Sequence, residues 1–141
     1  MATPEENRRT IEQFWEDMYA GRWDAFTAHF TDDATYTDAP TPGDEFARGP
    51  AEILARLRLA FDPLASMGDE RGLMVADGHV VVTEHVEIWK WTTGEEMRLP
   101  VASVHELTDG RISRWIDYWD MQTLVNAAPQ AWFEHVLQGY Q

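Results

Sequence analysis

Apolar residues recur at helical intervals in the first third of the chain and at strand intervals in the second half. From Pro4 towards Gly21, Ile11, Phe14, Trp15, Met18 and Tyr19 fall on one helical stripe. Thr3 and Glu6 have capping-box spacing with Pro4 at the first helical position, so an amphipathic helix is predicted up to Gly21. Trp23 to Phe30 predicts a short second helix with Phe26 and Phe30 on one side. It ends before Asp32-Asp33, which read as turn residues in solvent. Ala34 to Asp38 alternates and predicts a short strand with Tyr36 and Asp38 on one face. An irregular proline-rich loop follows, Ala39-Pro40-Thr41-Pro42-Gly43-Asp44. Gly49-Pro50 then opens a third helix through roughly Phe61, with Ile53, Leu54, Leu57 and Phe61 buried and Arg56 and Arg58 turned outward.

From about Gly72 the period is two. Leu73 to Ala76 meets the run His79 to Trp91 through Asp77-Gly78, a strong hairpin signal. Thr92-Thr93-Gly94 leads into Glu95 to Leu107, and Thr108-Asp109-Gly110 into Ile112 to Asp120, which makes an antiparallel meander. Ala131 to Leu137 predicts a C-terminal helix packing through Trp132, Phe133 and Val136. With no linker, repeat or low-complexity tract, residues 1–141 are expected to form a single domain. Helices followed by a meander and a helical tail give an α+β fold. The expectation is a cone-shaped, strongly curved antiparallel sheet wrapped around the N-terminal helices and enclosing an apolar pocket. In the run from His79, one face carries Val81, His85, Glu87, Trp89 and Trp91, and the other Val80, Val82, Val86 and Ile88. The second face is too apolar for open water, which predicts a homodimer through the sheet.

Composition narrows the partners. A formal charge of −14 disfavours binding to nucleic acid, anionic membranes and strongly anionic substrates. The absence of cysteine excludes disulfides and thiolate chemistry. MATPEENRRT lacks the apolar core of a signal peptide, and no apolar run approaches the ~18 residues of a membrane span, so a cytoplasmic location is expected.

Candidate chemistry lies on the inner face of the meander. Asp117 shares that face with Trp115 and Trp119, and a carboxyl between two indoles is desolvated, which raises its pKa and suits it to proton transfer. The structural alternative is a carboxylate that bonds a backbone amide or caps the strand end. Tyr36, Asp38, His85 and Glu87 recur on strand segments that could face the same cavity, which favours function. Several carboxyls support acid–base chemistry when one stays protonated while another is ionised, and opening a strained C–O bond needs that combination. His85 is expected between Glu87 and Asp117, hydrogen-bonded to both. The candidate lining comprises Trp89, Val101, Ser103, Trp115 and Trp119 with Phe14 from the first helix, and His105 is expected at the rim or end. Ser66, Ser103 and Ser113 lack a G-x-S-x-G context, no phosphate loop is present, and His85-x-Glu87 lacks the His/Cys spacing of a zinc site. Neither metal nor cofactor is expected.

The order of elements, with Phe30-Thr31-Asp32-Asp33-Ala34-Thr35-Tyr36 and Asp109-Gly110-Arg111-Ile112-x-x-Trp115-x-Asp117-Tyr118-Trp119-Asp120, resembles the nuclear transport factor two-like superfamily. That superfamily includes SnoaL-like cyclases, ketosteroid isomerase and limonene-epoxide hydrolase. The nearest resemblance is to limonene-epoxide hydrolase, whose Tyr-x-Asn, Arg-x-Asp and Arg-Asp-Tyr-Phe-Asp segments read here Tyr36-Thr37-Asp38, His85-Val86-Glu87 and Ile116-Asp117-Tyr118-Trp119-Asp120. The resemblance implies Asp117 as the base on water, Glu87 as the acid, His85 as the bridge, and Tyr36 with Asp38 as the water-holding pair. Ketosteroid isomerase supplies a rival reading, with Asp38 at the proton-shuttling position but Phe14 and Ser103 where that family has its oxyanion-hole tyrosine and aspartate. Dehydratases on this fold pair a His with an Asp, for which His85 and Asp38 would serve. The resulting expectation is a cofactor-independent, homodimeric acid–base enzyme on a small, largely apolar substrate, with epoxide hydrolysis ahead of dehydration or isomerisation. The alternative from another class is a non-catalytic ligand-binding or dimerisation module.

Overall fold

The structure is a computed structural model and describes residues 1–41 and 47–139. Helix α1 (Pro4–Tyr19) opens with both hydrogen bonds of the Thr3/Glu6 capping box in place. Helix α2 (Trp23–Thr27), strand β1 (Phe30–Asp38), the short β2 (Ala47–Arg48) and helix α3 (Gly49–Phe61) follow. Strands β3 (Leu64–Asp77), β4 (Val80–Trp91), β5 (Glu96–Thr108) and β6 (Arg111–Trp119) form the meander, and α4 (Met121–Ala127) and α5 (Gln130–Gly139) close the chain. The architecture is α+β, with N-terminal helices against a curved, unclosed six-stranded sheet of order β2-β1-β6-β5-β4-β3.

The sheet is mixed, and not antiparallel throughout as expected. β1 lies parallel to β6, with Asp38 opposite Asp117. The physical reason is the entry point: the chain leaves α2 at the end of the sheet where β6 begins, with Ile112 N–H donating to His29 O at 2.7 Å. Phe30 begins β1 instead of ending α2. Asp32 and Asp33 are exposed, as expected, but sit within β1 beside a register shift between Phe30 and Thr35. Helix α4 has no counterpart in the apolar periodicity, although Asp120 caps it by accepting from Thr123 N–H at 3.1 Å. Of the expected loop 39–44, residues 42–44 lie outside the described residues.

The largest departure is β3, which begins at Leu64 and runs for 14 residues. A register shift between Arg71 and Met74 marks a one-residue bulge around Gly72. A Cβ at Gly72 would stand 2.7 Å from the Glu84 carbonyl oxygen, so no other residue fits without moving the backbone.

One core cluster joins α1, α2 and α3 to the sheet through Ile11, Phe14, Trp15, Phe26, Ile53 and Trp115. Phe14 belongs here and not to the pocket wall. It is fully buried, with ring centroids 4.9 Å from Trp15 and 5.0 Å from Phe26, His105 and Trp115. A second cluster, with Trp89, Leu99, Leu124, Trp132 and Val136, brings α4 and α5 over the far end of the sheet. Among the described residues no helix is long and apolar enough to cross a membrane.

Candidate active site

Between the two clusters lies a cavity of about 440 Å³. Leu57, Phe61, Leu99, Val101, Leu124 and Trp132 supply apolar wall. Asp38, Glu87 and Asp117 face into it beside Tyr36, Trp89, Trp115 and Trp119, and Arg56 lines it too, although the helical pattern had turned that residue outward. Register explains the convergence. Asp38 pairs with Asp117 across β1 and β6, Asp117 with Ser103 across β6 and β5, and Glu87 with Asp69 across β4 and β3. Opposed residues in a sheet share a face, so these polar groups all project inward.

Each carboxyl is held by a hydroxyl and an indole N–H. Asp38 Oδ1 accepts from the Tyr36 hydroxyl at 2.8 Å and from Trp119 Nε1 at 2.9 Å. Asp117 Oδ1 accepts from Trp115 Nε1 and from the Ser103 hydroxyl, each at 2.6 Å, while its Oδ2 lies 3.3 Å from the Tyr36 hydroxyl. Glu87 accepts from the Tyr19 hydroxyl at 2.6 Å and from Trp89 Nε1 at 3.3 Å. Burial pushes Asp117 up to about 8, helped by the charges of Asp38 and Glu87 and opposed by the Ser103 hydrogen bond. Burial likewise raises Glu87 to about 7 against the hydrogen bonds of Tyr19 and Trp89. Asp38 is also raised by burial, and Trp119, Tyr36 and the positive charge of Arg56 offset only part of the rise. Burial and the neighbouring carboxylates lift Tyr19 and Tyr36 well above 10, so both keep their hydroxyl protons.

Three expectations change. His85 bonds neither Glu87 nor Asp117 directly: its Nδ1 is 2.8 Å from Asp69 Oδ1 and its Nε2 is 3.0 Å from Ser103 Oγ. Two hydroxyls stand in between, that of Tyr19 on Glu87 and that of Ser103 on Asp117. Ser103 does not line the cavity but is wholly enclosed between His85 and Asp117. His105 sits in neither rim nor mouth: it is packed in the core against Trp115, with centroids 5.5 Å apart and neither ring nitrogen hydrogen-bonded. Burial drives its pKa down to about 3, so it is a neutral ring.

The sequence pattern missed Asp69, Tyr19 and Arg56. Tyr19 stood on the helical stripe and read as packing. Asp69 lies in a stretch with Gly68 and Gly72 that carries no apolar alternation.

A sequence model of the SnoaL-like domain matches residues 11–115, about three quarters of the chain. The chain belongs to the SnoaL-like family. Its fold recurs in an epoxide hydrolase of the LEH-like type from M. tuberculosis, 24% identical with a TM-score of 0.74, the match covering 97% of this chain and 93% of that one. A SnoaL-like polyketide-cyclase candidate from Jannaschia sp. CCS1 is 14% identical with a TM-score of 0.79, over 92% and 98% of the two chains. A ketosteroid-isomerase candidate from Kribbella flavida is 22% identical with a TM-score of 0.69, over 83% and 79%. At these identities the likeness is one of fold, and the SnoaL-like scaffold carries several chemistries in its cavity. Among the described residues of this SnoaL-like chain, no group of three His, Cys, Asp or Glu is set to hold a metal ion.

Proposed function

We propose that the protein is a cofactor-independent acid–base enzyme that adds water to the epoxide of a small, largely apolar substrate. One observation carries this reading: two cavity carboxyls, Asp38 and Asp117, share the hydroxyl of Tyr36. A hydroxyl donates once, and the shorter contact is to Asp38. We read the longer contact as donation from a protonated Asp117 to the Tyr36 oxygen, opposite an ionised Asp38. Burial raises both carboxyls, Asp117 as far as about 8, while the Trp119 N–H, the Tyr36 hydroxyl and the Arg56 charge act against the rise at Asp38.

In the forward reaction Asp38 takes a proton from water as the oxygen attacks an epoxide carbon. Asp117 protonates the departing epoxide oxygen, and the C–O bond breaks to leave a diol. The site resets when the proton on Asp38 passes to Tyr36 while Tyr36 passes its own to Asp117. Glu87 stands beside them as a second buried acid. This division of labour departs from the one that the hydrolase resemblance implies, where Asp117 is the base and Asp38 only holds water. Incubation with cyclic epoxides and hydroxy-ketones, with mass detection, tests the reading. A product heavier by one water is expected, with kcat/KM falling as pH rises through about 8, where Asp117 loses its proton. A product lighter by one water, or inertness towards every epoxide, overturns it.

The same pair supports a second reading. An ionised Asp38 opposite a protonated Asp117 can carry a proton between two carbons while hydrogen-bonding a developing enolate, which is isomerisation without mass change. Dehydration by His85 and Asp38 is less favoured, because His85 does not line the cavity.

A homodimer through the outer face of the sheet is part of the proposal. Cross-strand register aligns Val75, Val82, Val104 and Ile116 in one row there, and Leu73, Val75, Val82 and Tyr118 are exposed. Sedimentation equilibrium is expected to give a dimer that Val82→Asp converts to monomer; a monomeric wild type at micromolar concentration would rule the contact out.

A further inference from the structure

Behind Asp117 a line of polar side chains crosses four adjacent strands on the inner face of the sheet. Asp69 on β3 meets His85 Nδ1 on β4 at 2.8 Å, His85 Nε2 meets Ser103 Oγ on β5 at 3.0 Å, and Ser103 Oγ meets Asp117 Oδ1 on β6 at 2.6 Å. His85 is 2% and Ser103 0% exposed, and neither lines the cavity. Only Asp117, the last of the line, reaches the cavity wall.

The donors and acceptors of this line admit two settings. With Nδ1–H given to Asp69, the serine can accept Nε2–H from a doubly protonated imidazole and donate to an Asp117 carboxylate. Alternatively it accepts from a protonated Asp117 and donates to a neutral Nε2. One setting becomes the other by a two-proton shift: Nε2–H breaks as a new Oγ–H forms, and the old Oγ–H breaks as Asp117 O–H forms. Net charge within the line is unchanged, so the shift needs no counterion from solvent.

We propose that Ser103 relays a proton between His85 and Asp117, so that an imidazole out of reach of the substrate lends a proton to the cavity acid while it is ionised and takes it back once Tyr36 has returned the proton of Asp38. The proposal rests on the acid–base reading of Asp117. Ser103 is a positioning residue in it and not a nucleophile. Asp69, His85 and Ser103 have the spacing of a hydrolase triad, but the serine oxygen is sealed off and its remaining bond is spent on Asp117.

The surroundings keep the proton on this path. Tyr19 lies 3.4 Å from Nδ1, but its hydroxyl proton is committed to Glu87 at 2.6 Å. Arg71 Nε pairs with the other oxygen of Asp69 at 3.2 Å, which leaves Oδ1 for the imidazole. His105 on β5 is neutral and unbonded, so it neither takes nor supplies a proton. Across the cavity Asp117 faces Asp38, Tyr36 and Glu87, the groups that exchange protons with substrate and water.

The relay can be read without any substrate. In the protein labelled with ¹⁵N-histidine and ¹³C-carboxyl aspartate, an NMR titration is expected to move His85 Nε2 and the Asp117 carboxyl in one shared step. Ser103→Ala is expected to split that step into two while Nδ1 keeps its Asp69-bonded shift, and Ser103→Thr, which retains the hydroxyl, to preserve it. In turnover, Ser103→Ala should lower kcat roughly tenfold with KM unchanged. Separate midpoints in the wild type, a shared step that survives Ser103→Ala, or labelling of Ser103 by a fluorophosphonate would each overturn the relay. If the shared step splits as expected and no epoxide is turned over, the proposed reaction fails while the relay stands. If epoxides are turned over and Ser103→Ala changes nothing, the relay alone fails.

Discussion

Asp117→Asn is expected to lower kcat by about 10²–10⁴-fold while the fold survives. Asn reproduces the neutral, protonated shape of the carboxyl. Its carbonyl can accept from Trp115 and Ser103 and its amide can donate towards Tyr36, but it has no proton to give up. Asp38→Asn is the companion that separates the two assignments. If Asp38 is the base, turnover falls over the same range; if Asp38 only holds water, Asn does that equally well and activity persists, which returns the base to Asp117. Stability moves in the opposite direction to activity. The folded pKa of Asp117, about 8, lies above its ordinary 3.8, so between these values the native state binds more protons than the unfolded chain. Its contribution is complete below the lower value and is lost as pH rises through the upper one. Asp117→Asn removes that loss, so urea midpoints are expected to favour the variant at about pH 9, less so at about pH 5, and to converge only below the ordinary value of 3.8.

Phe14→Ala is expected to cost about 3–5 kcal/mol of unfolding free energy. The ring is fully buried and meets four aromatic neighbours at 4.9–5.0 Å, with Trp115 among them. Removing it leaves a void where α1, α2 and the sheet join. Equilibrium denaturation reads this directly, and a variant of unchanged stability with a raised KM would instead return Phe14 to the pocket wall.

The inner face of β4 was legible because its alternation is strict. Val81, Thr83, His85, Glu87, Trp89 and Trp91 are all buried, in the order that a period of two requires. Tyr36, Asp38, Glu87 and Asp117 were found for the same reason, each on an uninterrupted stretch of strand. Partners across strands were not legible, because register depends on bulges that leave no apolar mark. Asp69 shows this most clearly. Ala76 and Met74 face inward by even numbering, and the extra residue at the Gly72 bulge flips the parity, so that Met67 and Asp69 face inward by odd numbering. Without that bulge Glu70, and not Asp69, would stand opposite Glu87 and next to His85. The assignment of Ser103 to the cavity wall failed differently: parity put it on the correct face, but face alone does not tell whether a neighbour stands in front. The parallel β1–β6 pair, set by where α2 ends, brought Asp38 to Asp117 although neither segment carries a signal for the other.

The same bulge bears on behaviour at high concentration. β3 is the last strand of the sheet, 14 residues long, and among the described residues no strand lies beside its outer side. A long, flat edge of that kind is a template on which a second chain can add a strand and begin an ordered aggregate. Here the edge is bent at Gly72, and exposed Glu70 and Arg71 stand immediately before the bend. The irregularity that delivers Asp69 to His85 therefore also breaks the straight run of backbone that a growing fibril would copy.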